Sequence, residues 1–222
     1  MKQKTLILVL ILFSLTVKPQ KKEFQNSFGK VNTENLDSLI SDFESNVLKQ
    51  NYPKLDIKNA YKKFLRELIE NKMELNDSLL IKGEKILQRK NLKFHIYNIL
   101  DSVWVGESLF SKNIKEQLIF KYKHINTNGN FDYMYSETSK NDIKIKKNIA
   151  EKYKCINLNG LYTKSLEKAS AKSNLVENYL ETLNLSGSFI SPIILASNIL
   201  NNEIDTSNYF VKIIILTNII YR

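Results

Sequence analysis

The chain has 222 residues, of which 43% are hydrophobic, and it contains only six glycines, three prolines and one cysteine. This composition excludes a disordered or collagen-like chain, and the single cysteine excludes both a disulfide framework and a cysteine-rich zinc module. A chain of this length is typical of one domain with an ordinary hydrophobic core. The formal net charge is +10.

The positive charge comes almost entirely from lysine. Lysine provides 30 of the 33 basic residues, and Lys, Asn and Ile together make up 82 of the 222 residues. This bias is typical of an A/T-rich coding sequence, so we interpret much of the charge as compositional. Because bidentate recognition of phosphate or guanine favours arginine, we expect no nucleic-acid partner. Binding to an anionic surface remains the alternative interpretation.

Residues 1–17 have the layout of a secretory signal peptide, with a short basic start and then an uncharged run from Thr5 to Val17. The run is shorter than the roughly 20 apolar residues of a membrane-spanning helix, so we expect cleavage, and an uncleaved anchor is the alternative. No cysteine follows the run, which argues against a lipoprotein. The sequence therefore predicts an exported protein, periplasmic or secreted, with no transmembrane segment in the mature chain.

The next segment, residues 18–31, is polar and rich in lysine, and we predict that it is flexible. Residues 32–222 are predicted to form a single globular, mostly helical domain. Apolar positions repeat at helical spacing between Thr33 and Leu48 and again between Ile57 and Ile69, with Asp56 as the N-cap of the second helix. Further helices are predicted over 72–91, 92–103, 143–153, 161–172, 174–185 and 192–200. Residues 208–221 are so rich in isoleucine that helix and strand both remain open.

A β-hairpin is predicted where the helical pattern stops, near residues 118–136. Its turn is assigned to Asn128-Gly129, a dipeptide typical of the two-residue type I′ turn. A helix through Ile114, Leu118, Tyr122 and Ile125 is the alternative. The predicted fold class is thus mainly α, with antiparallel amphipathic helices around one core and one hairpin, and α+β is the alternative class.

A two-residue turn fixes the pairing of the hairpin strands. It places His124 opposite Tyr133 and Tyr122 opposite Tyr135, so that the aromatic side chains of both strands share one face. Asp132 then lies on the other face, away from His124. We interpret the shared aromatic face as either part of the core or a recognition surface.

Residues 94–137 hold the candidate functional residues. Both histidines lie there, together with the single tryptophan and nine of the 23 aromatic residues. The weak catalytic candidates are His95, His124 and Glu137, because imidazole titrates near neutral pH and can exchange protons with a carboxylate. The candidate binding residues are aromatic: Trp104, Tyr122, Phe131, Tyr133 and Tyr135.

No motif in the sequence indicates a cofactor or a metal. Glycine-rich phosphate-binding motifs, nucleophile elbows and metal-ligand spacings are all missing, so we expect none. Whether the protein is an enzyme stays uncertain, and the sequence leans against it. The most favoured function is a non-catalytic binding module whose partner is another envelope or extracellular protein. The alternatives are a secreted or periplasmic hydrolase that uses residues 94–137 and a peripheral envelope protein that binds anionic surfaces through lysine-rich faces.

Overall fold

The computed structural model describes residues 20–72, 77–141, 154–170 and 174–222. The predicted signal peptide and the predicted helix over 143–153 lie outside these ranges. Within them the protein combines many helices with a four-stranded antiparallel sheet, so its class is α+β. The mainly-α prediction is therefore right about the helices but underestimates the sheet, and the alternative class describes the fold better.

The helices form two groups along the chain, before and after the sheet. In the first group, α1 covers residues 20–28 and α2 covers Lys30–Asp42. Helix α2 continues through a π-helical turn, Phe43–Leu48, to Lys49–Asn51. It is followed by α3 (Ile57–Ile69), α4 (Asp77–Gln88) and, after the 3-10 turn Arg89–Asn91, α5 (Leu92–Ile96). In the second group, α6 covers Leu161–Ser170, α7 covers Asn174–Leu185, α8 covers Pro192–Asn201, and α9 covers Tyr209–Ile215 with a π-helical extension, Leu216–Ile220.

Helix α1 lies in the segment expected to be flexible. Its two phenylalanines, Phe24 and Phe28, are four residues apart, so they share one helical face, and both are completely buried. The Phe24 ring packs edge-on against Tyr162 and Phe210, with centroids 6.2 and 5.8 Å apart. Burial of these two rings stabilises the helix. The prediction missed it because an apolar stripe of only two residues is not evident in a polar segment.

Helix α3 follows the prediction closely. The side chain of Asp56 accepts a hydrogen bond from the backbone N–H of Asn59 at 2.9 Å, which confirms the predicted N-cap. The centre of the apolar stripe, from Ala60 to Leu65, is buried, and the Phe64 ring lies 5.2 Å from that of Phe43 in the π-helical turn after α2. The exposed face keeps the i,i+4 ion pair between Lys63 and Glu67.

The isoleucine-rich C-terminal segment is a helix, which answers the question that the sequence leaves open. The Asn208 side chain caps it by accepting a hydrogen bond from the N–H of Phe210 at 2.8 Å. Almost every side chain from Phe210 to Ile220 is buried, as expected for a helix that is apolar on all sides. The buried carbonyl of Thr217 accepts a hydrogen bond from the Tyr97 hydroxyl at 2.9 Å, so α9 is tied to the start of the sheet.

The sheet contains β1 (Tyr97–Gly106), β2 (Gln117–Ile125), β3 (Phe131–Ser139) and β4 (Cys155–Ile156), in the order β3-β2-β1-β4. The predicted helix over 92–103 is wrong beyond Ile96, because β1 begins at Tyr97. A bulge between Leu100 and Ser102 shifts the pairing of β1 with β2. Such a bulge interrupts the alternation of side chains that reveals a strand, so the helical spacing was misleading.

The β2–β3 hairpin exists as predicted, but its turn and its register differ. The N–H of Asn126 bonds to the carbonyl of Asn130 at 2.9 Å, and the N–H of Gly129 bonds to the carbonyl of Asn126 at 3.0 Å. The loop therefore has three residues, with Gly129 in the left-handed region at φ +82°. Compared with a two-residue turn, this moves β3 by one residue, and a slip of one residue exchanges the two faces of a strand.

Candidate functional site

The observed register separates the aromatic side chains of the hairpin onto two faces. Residues directly opposite each other in an antiparallel pair share a face. Lys121 is opposite Tyr135 and Lys123 is opposite Tyr133, whereas Tyr122 is opposite Met134 and His124 is opposite Asp132. The prediction of one face with all these aromatic residues is therefore wrong, and its physical cause is the additional loop residue.

One face of the sheet combines exposed rings with lysines, and we call it the aromatic face. Its rings are 38 to 47% exposed at the four positions Trp104, Phe131, Tyr133 and Tyr135. Large rings are usually buried, so four of them on one surface form an apolar patch available for contact. The aromatic face as defined here comprises Phe94, Trp104, Phe131, Tyr133, Tyr135, Lys121 and Lys123.

Lysine ammonium groups lie over the rings of this face. The Nζ of Lys121 is 3.9 Å from the ring centroid of Tyr133, and the Nζ of Lys123 is 4.1 Å from that of Phe131. Both distances are well within the range of a cation–π interaction. Lys121 also pairs with Asp101, the bulge residue of β1, at 3.6 Å. On this face the ammonium groups of β2 thus lie diagonally opposite the rings of β3.

At each end of the aromatic face, a ring from outside the hairpin packs against a ring of β3. At one end, Trp104 of β1 meets Tyr135 edge-on with centroids 6.4 Å apart. At the other end, Phe94 of α5 meets Phe131 edge-on at 5.4 Å. The Nζ of Lys93 lies 4.9 Å from the Phe94 centroid and provides a third ammonium group. With Lys93 included, the aromatic face therefore runs across four elements, α5, β1, β2 and β3.

Tyr122, the fifth predicted binding residue, lies on the opposite face. It stacks on Phe120, with centroids 6.3 Å apart and planes inclined by 22°. Burial raises the pKa of its hydroxyl, and the neighbouring Cys155 contributes to the same shift. The structure thus brings together Trp104, Phe131 and Tyr133, with Tyr135, and leaves Tyr122 apart.

Sequence reasoning missed Phe94 and the lysines as members of the surface. The predicted register assigned Lys121 and Lys123 to the face away from the β3 rings, and Phe94 was predicted to be part of a longer helix. The usable signal was the alternation of Lys with aromatic residues from Phe120 to Lys123. That alternation shows that one face of β2 is cationic, but it does not show which β3 residues join it.

The two histidines occupy different surroundings. His95 in α5 is half-buried and edge-on to Phe28, and burial lowers the pKa of its imidazole. His124 is on the face opposite the aromatic face, directly across from Asp132. The Nδ1 atoms of both histidines are buried without a hydrogen-bond partner among the described residues.

The third catalytic candidate, Glu137, is hydrogen-bonded to the loop between β1 and β2. Its carboxylate accepts hydrogen bonds from the Ser108 hydroxyl and from the N–H of Leu109, the latter at 2.7 Å. Because Glu137 pairs with Ile119, it lies on the opposite face from His124. The structure therefore does not bring His124 and Glu137 together. Cys155 of β4 is a free, half-buried thiol, and burial raises its pKa.

Within the described part of the chain, no group of three or more His, Cys, Asp or Glu side chains is arranged to hold a metal ion. None of the helices described is long and apolar enough to cross a membrane. Comparison of the chain with protein-family models, curated proteins and solved structures finds no significant match in any of the three.

Proposed function

We propose that the protein is an exported binding module that uses the aromatic face to recognise an acidic segment of another envelope or extracellular protein. The observation that supports this most is the contact between ammonium groups of β2 and exposed rings of β3, in which Lys121 lies over Tyr133 and Lys123 lies over Phe131. Aromatic residues are enriched in protein interfaces, and tyrosine and tryptophan are frequent hot spots.

The charge of the face favours an acidic partner. Lys93 and Lys123 contact rings, and no described carboxylate forms an ion pair with either ammonium group. Lys121 has one such partner, Asp101. A carboxylate from a partner could therefore bind Lys93 or Lys123 without displacing an internal ion pair, and an ammonium to carboxylate hydrogen bond is among the stronger ones.

The loop between β1 and β2 adds apolar area at the Trp104 end of the face. Glu137 shares a row of the sheet with Trp104, so its bonds to Ser108 and Leu109 fix the loop beside that ring. The Ser108 hydroxyl in turn accepts a hydrogen bond from the N–H of Phe110, whose side chain is 71% exposed. Because hydrogen bonds already fix this loop, it loses little conformational entropy when a partner binds, which favours contact through the exposed ring.

Selection from a displayed library of random peptides tests the proposal, with the immobilised protein as bait. We expect enrichment of peptides that combine Glu or Asp with aromatic residues. Enrichment should be lost with Tyr133→Ala bait and kept with Met134→Ala bait. Tyr133 and Met134 are adjacent, similarly exposed and on opposite faces, so they form a matched pair. Enrichment of basic or uncharged peptides, or equal loss in both variants, would overturn the proposal.

An anionic surface is the competing partner class, since the same lysines would be attracted to acidic lipids. Vesicles of phosphatidylglycerol distinguish the two. Binding to vesicles without selection of any acidic peptide would favour the surface over the protein partner.

A hydrolase is the remaining alternative. His124 and Asp132 lie away from the aromatic face, so His124→Ala should leave the selected peptides bound as tightly as before. Turnover of a peptide or ester substrate that His124→Ala abolishes would favour the enzyme instead.

A further inference from the structure

A groove of about 360 Å³ lies between α7, α8 and α9, and none of its lining residues belongs to the sheet. Its floor is hydrocarbon, contributed by Leu195 and Ile199 of α8 and by Val211 and Ile214 of α9, and all four side chains are buried. The volume falls in the range of about 300 to 1,000 Å³ that is typical of small-molecule sites. The groove is thus large enough for a ligand and has an apolar base.

The rim of the groove consists of uncharged polar side chains. Asn178 and Thr182 line it from α7, and Asn198 of α8 and the C-cap residue Asn202 line it from the other side. Among the described residues that line the groove, none carries a formal charge. The three asparagines are exposed, and each amide offers both donors and an acceptor, so the rim provides hydrogen bonds but no ion pair to a head group that replaces part of its water. The rim therefore favours a neutral head group over an ionised one.

An aliphatic side chain at the mouth of the groove is exposed to solvent. Ile194 lines the groove and is 63% exposed, although isoleucine is among the residue types most often buried. Its neighbour Ile193 is 46% exposed but does not line the groove. A ligand on the hydrocarbon floor would cover Ile194 and would gain from removing that side chain from water.

We propose that this groove binds a neutral amphiphile, namely an aliphatic chain with a hydroxyl, ester or amide head group. The chain lies on the floor, and the head group bonds to the asparagines of the rim. The groove is about twice the roughly 150 Å³ of an engineered apolar cavity that holds benzene, so it accepts a chain of roughly ten carbons. No residue of the aromatic face lines the groove, so the two proposals are independent.

Calorimetric titration with three probes of equal chain length tests the ligand class. The probes are 1-decanol, ionised decanoate and decyltrimethylammonium, each below its aggregation concentration. We expect decanol to bind more tightly than either ion, because each ion would lose part of its water at the groove without gaining an ion pair from the rim. The heat capacity change should be negative, as burial of apolar surface requires. Decanoate or the ammonium probe binding as tightly as decanol, or no binding of decanol, would overturn the proposal.

A matched pair of substitutions on α8 tests the location. Ile194→Asp places a carboxylate at the mouth of the groove and should weaken decanol binding by about tenfold or more. Ile193→Asp makes the same change one residue away and should leave the affinity within about twofold. Both side chains are exposed, so both variants should fold, which circular dichroism can verify. Equal affinities in the two variants would place the ligand elsewhere.

Discussion

The ammonium group of Lys121 lies over the ring of Tyr133, with Nζ 3.9 Å from the ring centroid, although the two residues are on different strands. This contact exists because β3 is shifted by one residue from the register of a two-residue turn. In the predicted register Lys121 would lie on the opposite face from Tyr133. The aromatic face thus depends on the loop that joins β2 to β3.

The conformation of Gly129 should therefore be important for the hairpin. Its φ is +82°, and no atom lies within 4 Å of the position a Cβ would occupy, so Gly129→Ala is opposed by the backbone alone. We expect this substitution to lower the free energy of unfolding by about 1 kcal/mol. Urea denaturation measures the change, with Thr127→Ala in the same loop as the control, expected within about 0.5 kcal/mol of the wild type. Equal effects of the two substitutions would contradict the left-handed assignment.

Gly83 in α4 allows a close approach of Tyr221. A Cβ at this position would lie 2.0 Å from the Tyr221 hydroxyl oxygen, and Tyr221 is buried. We expect Gly83→Ala to destabilise the protein by about 1 to 3 kcal/mol, although alanine is the better helix former.

A double-mutant cycle separates that steric clash from other effects. In a Tyr221→Leu background the ring is gone, so Gly83→Ala should cost much less or become stabilising. The difference between the two costs, measured by thermal or urea unfolding, is the coupling energy and should exceed about 1 kcal/mol. Additive effects would mean that the two residues do not meet.

Glu137 should act as a structural residue of the β1–β2 loop. Glu137→Gln replaces one acceptor oxygen with an amide donor, which cannot accept a hydrogen bond from both Ser108 and Leu109. We expect hydrogen exchange at Leu109 and Phe110 to become about tenfold faster or more, while the core amides keep their protection. Glu107→Gln, at the edge of the same loop, is the control. Unchanged exchange would show that Glu137 does not hold the loop.

His95 should make stability depend on pH. Burial lowers its pKa in the folded protein below the usual value near 6.5, so the unfolded chain binds more protons once the pH falls toward that value. The free energy of unfolding should therefore decrease as the pH is lowered from 7.5 to 5.5. His95→Gln lacks this titration, and its stability should change less over the same interval. Chemical denaturation at both pH values measures the difference, and identical decreases in the two proteins would argue against a lowered pKa.

The sequence predicts those parts of the fold that depend on residues close together in the chain. The start of α3 at Asp56 was predictable because the cap and the apolar stripe both lie within one helix. The N-terminal helix was not, since its stripe has only Phe24 and Phe28, and its stability depends on contacts with Tyr162 and Phe210 far along the chain. The bulge in β1 likewise concealed a strand whose partners are distant.

The candidate site was predictable as a segment but not as a surface. Aromatic enrichment singled out residues 94–137, and within that segment Trp104, Phe131, Tyr133 and Tyr135 share one face of the sheet. The exclusion of Tyr122 and the inclusion of the lysines depend on a single loop residue, because the period of a strand is two. A sequence that permits both a two-residue and a three-residue turn cannot decide between these surfaces.

The most direct measurement of the central proposal is a calorimetric titration with a short peptide that alternates Glu and Phe. We expect binding to the wild-type protein that weakens as salt is raised, because exposed charges are screened over roughly 10 Å at 0.1 M. Tyr133→Ala should reduce the affinity by at least about tenfold, equivalent to about 1.4 kcal/mol, and Met134→Ala should leave it unchanged. Equal affinity in the Tyr133 and Met134 variants, or binding that does not respond to salt, would contradict recognition through the aromatic face.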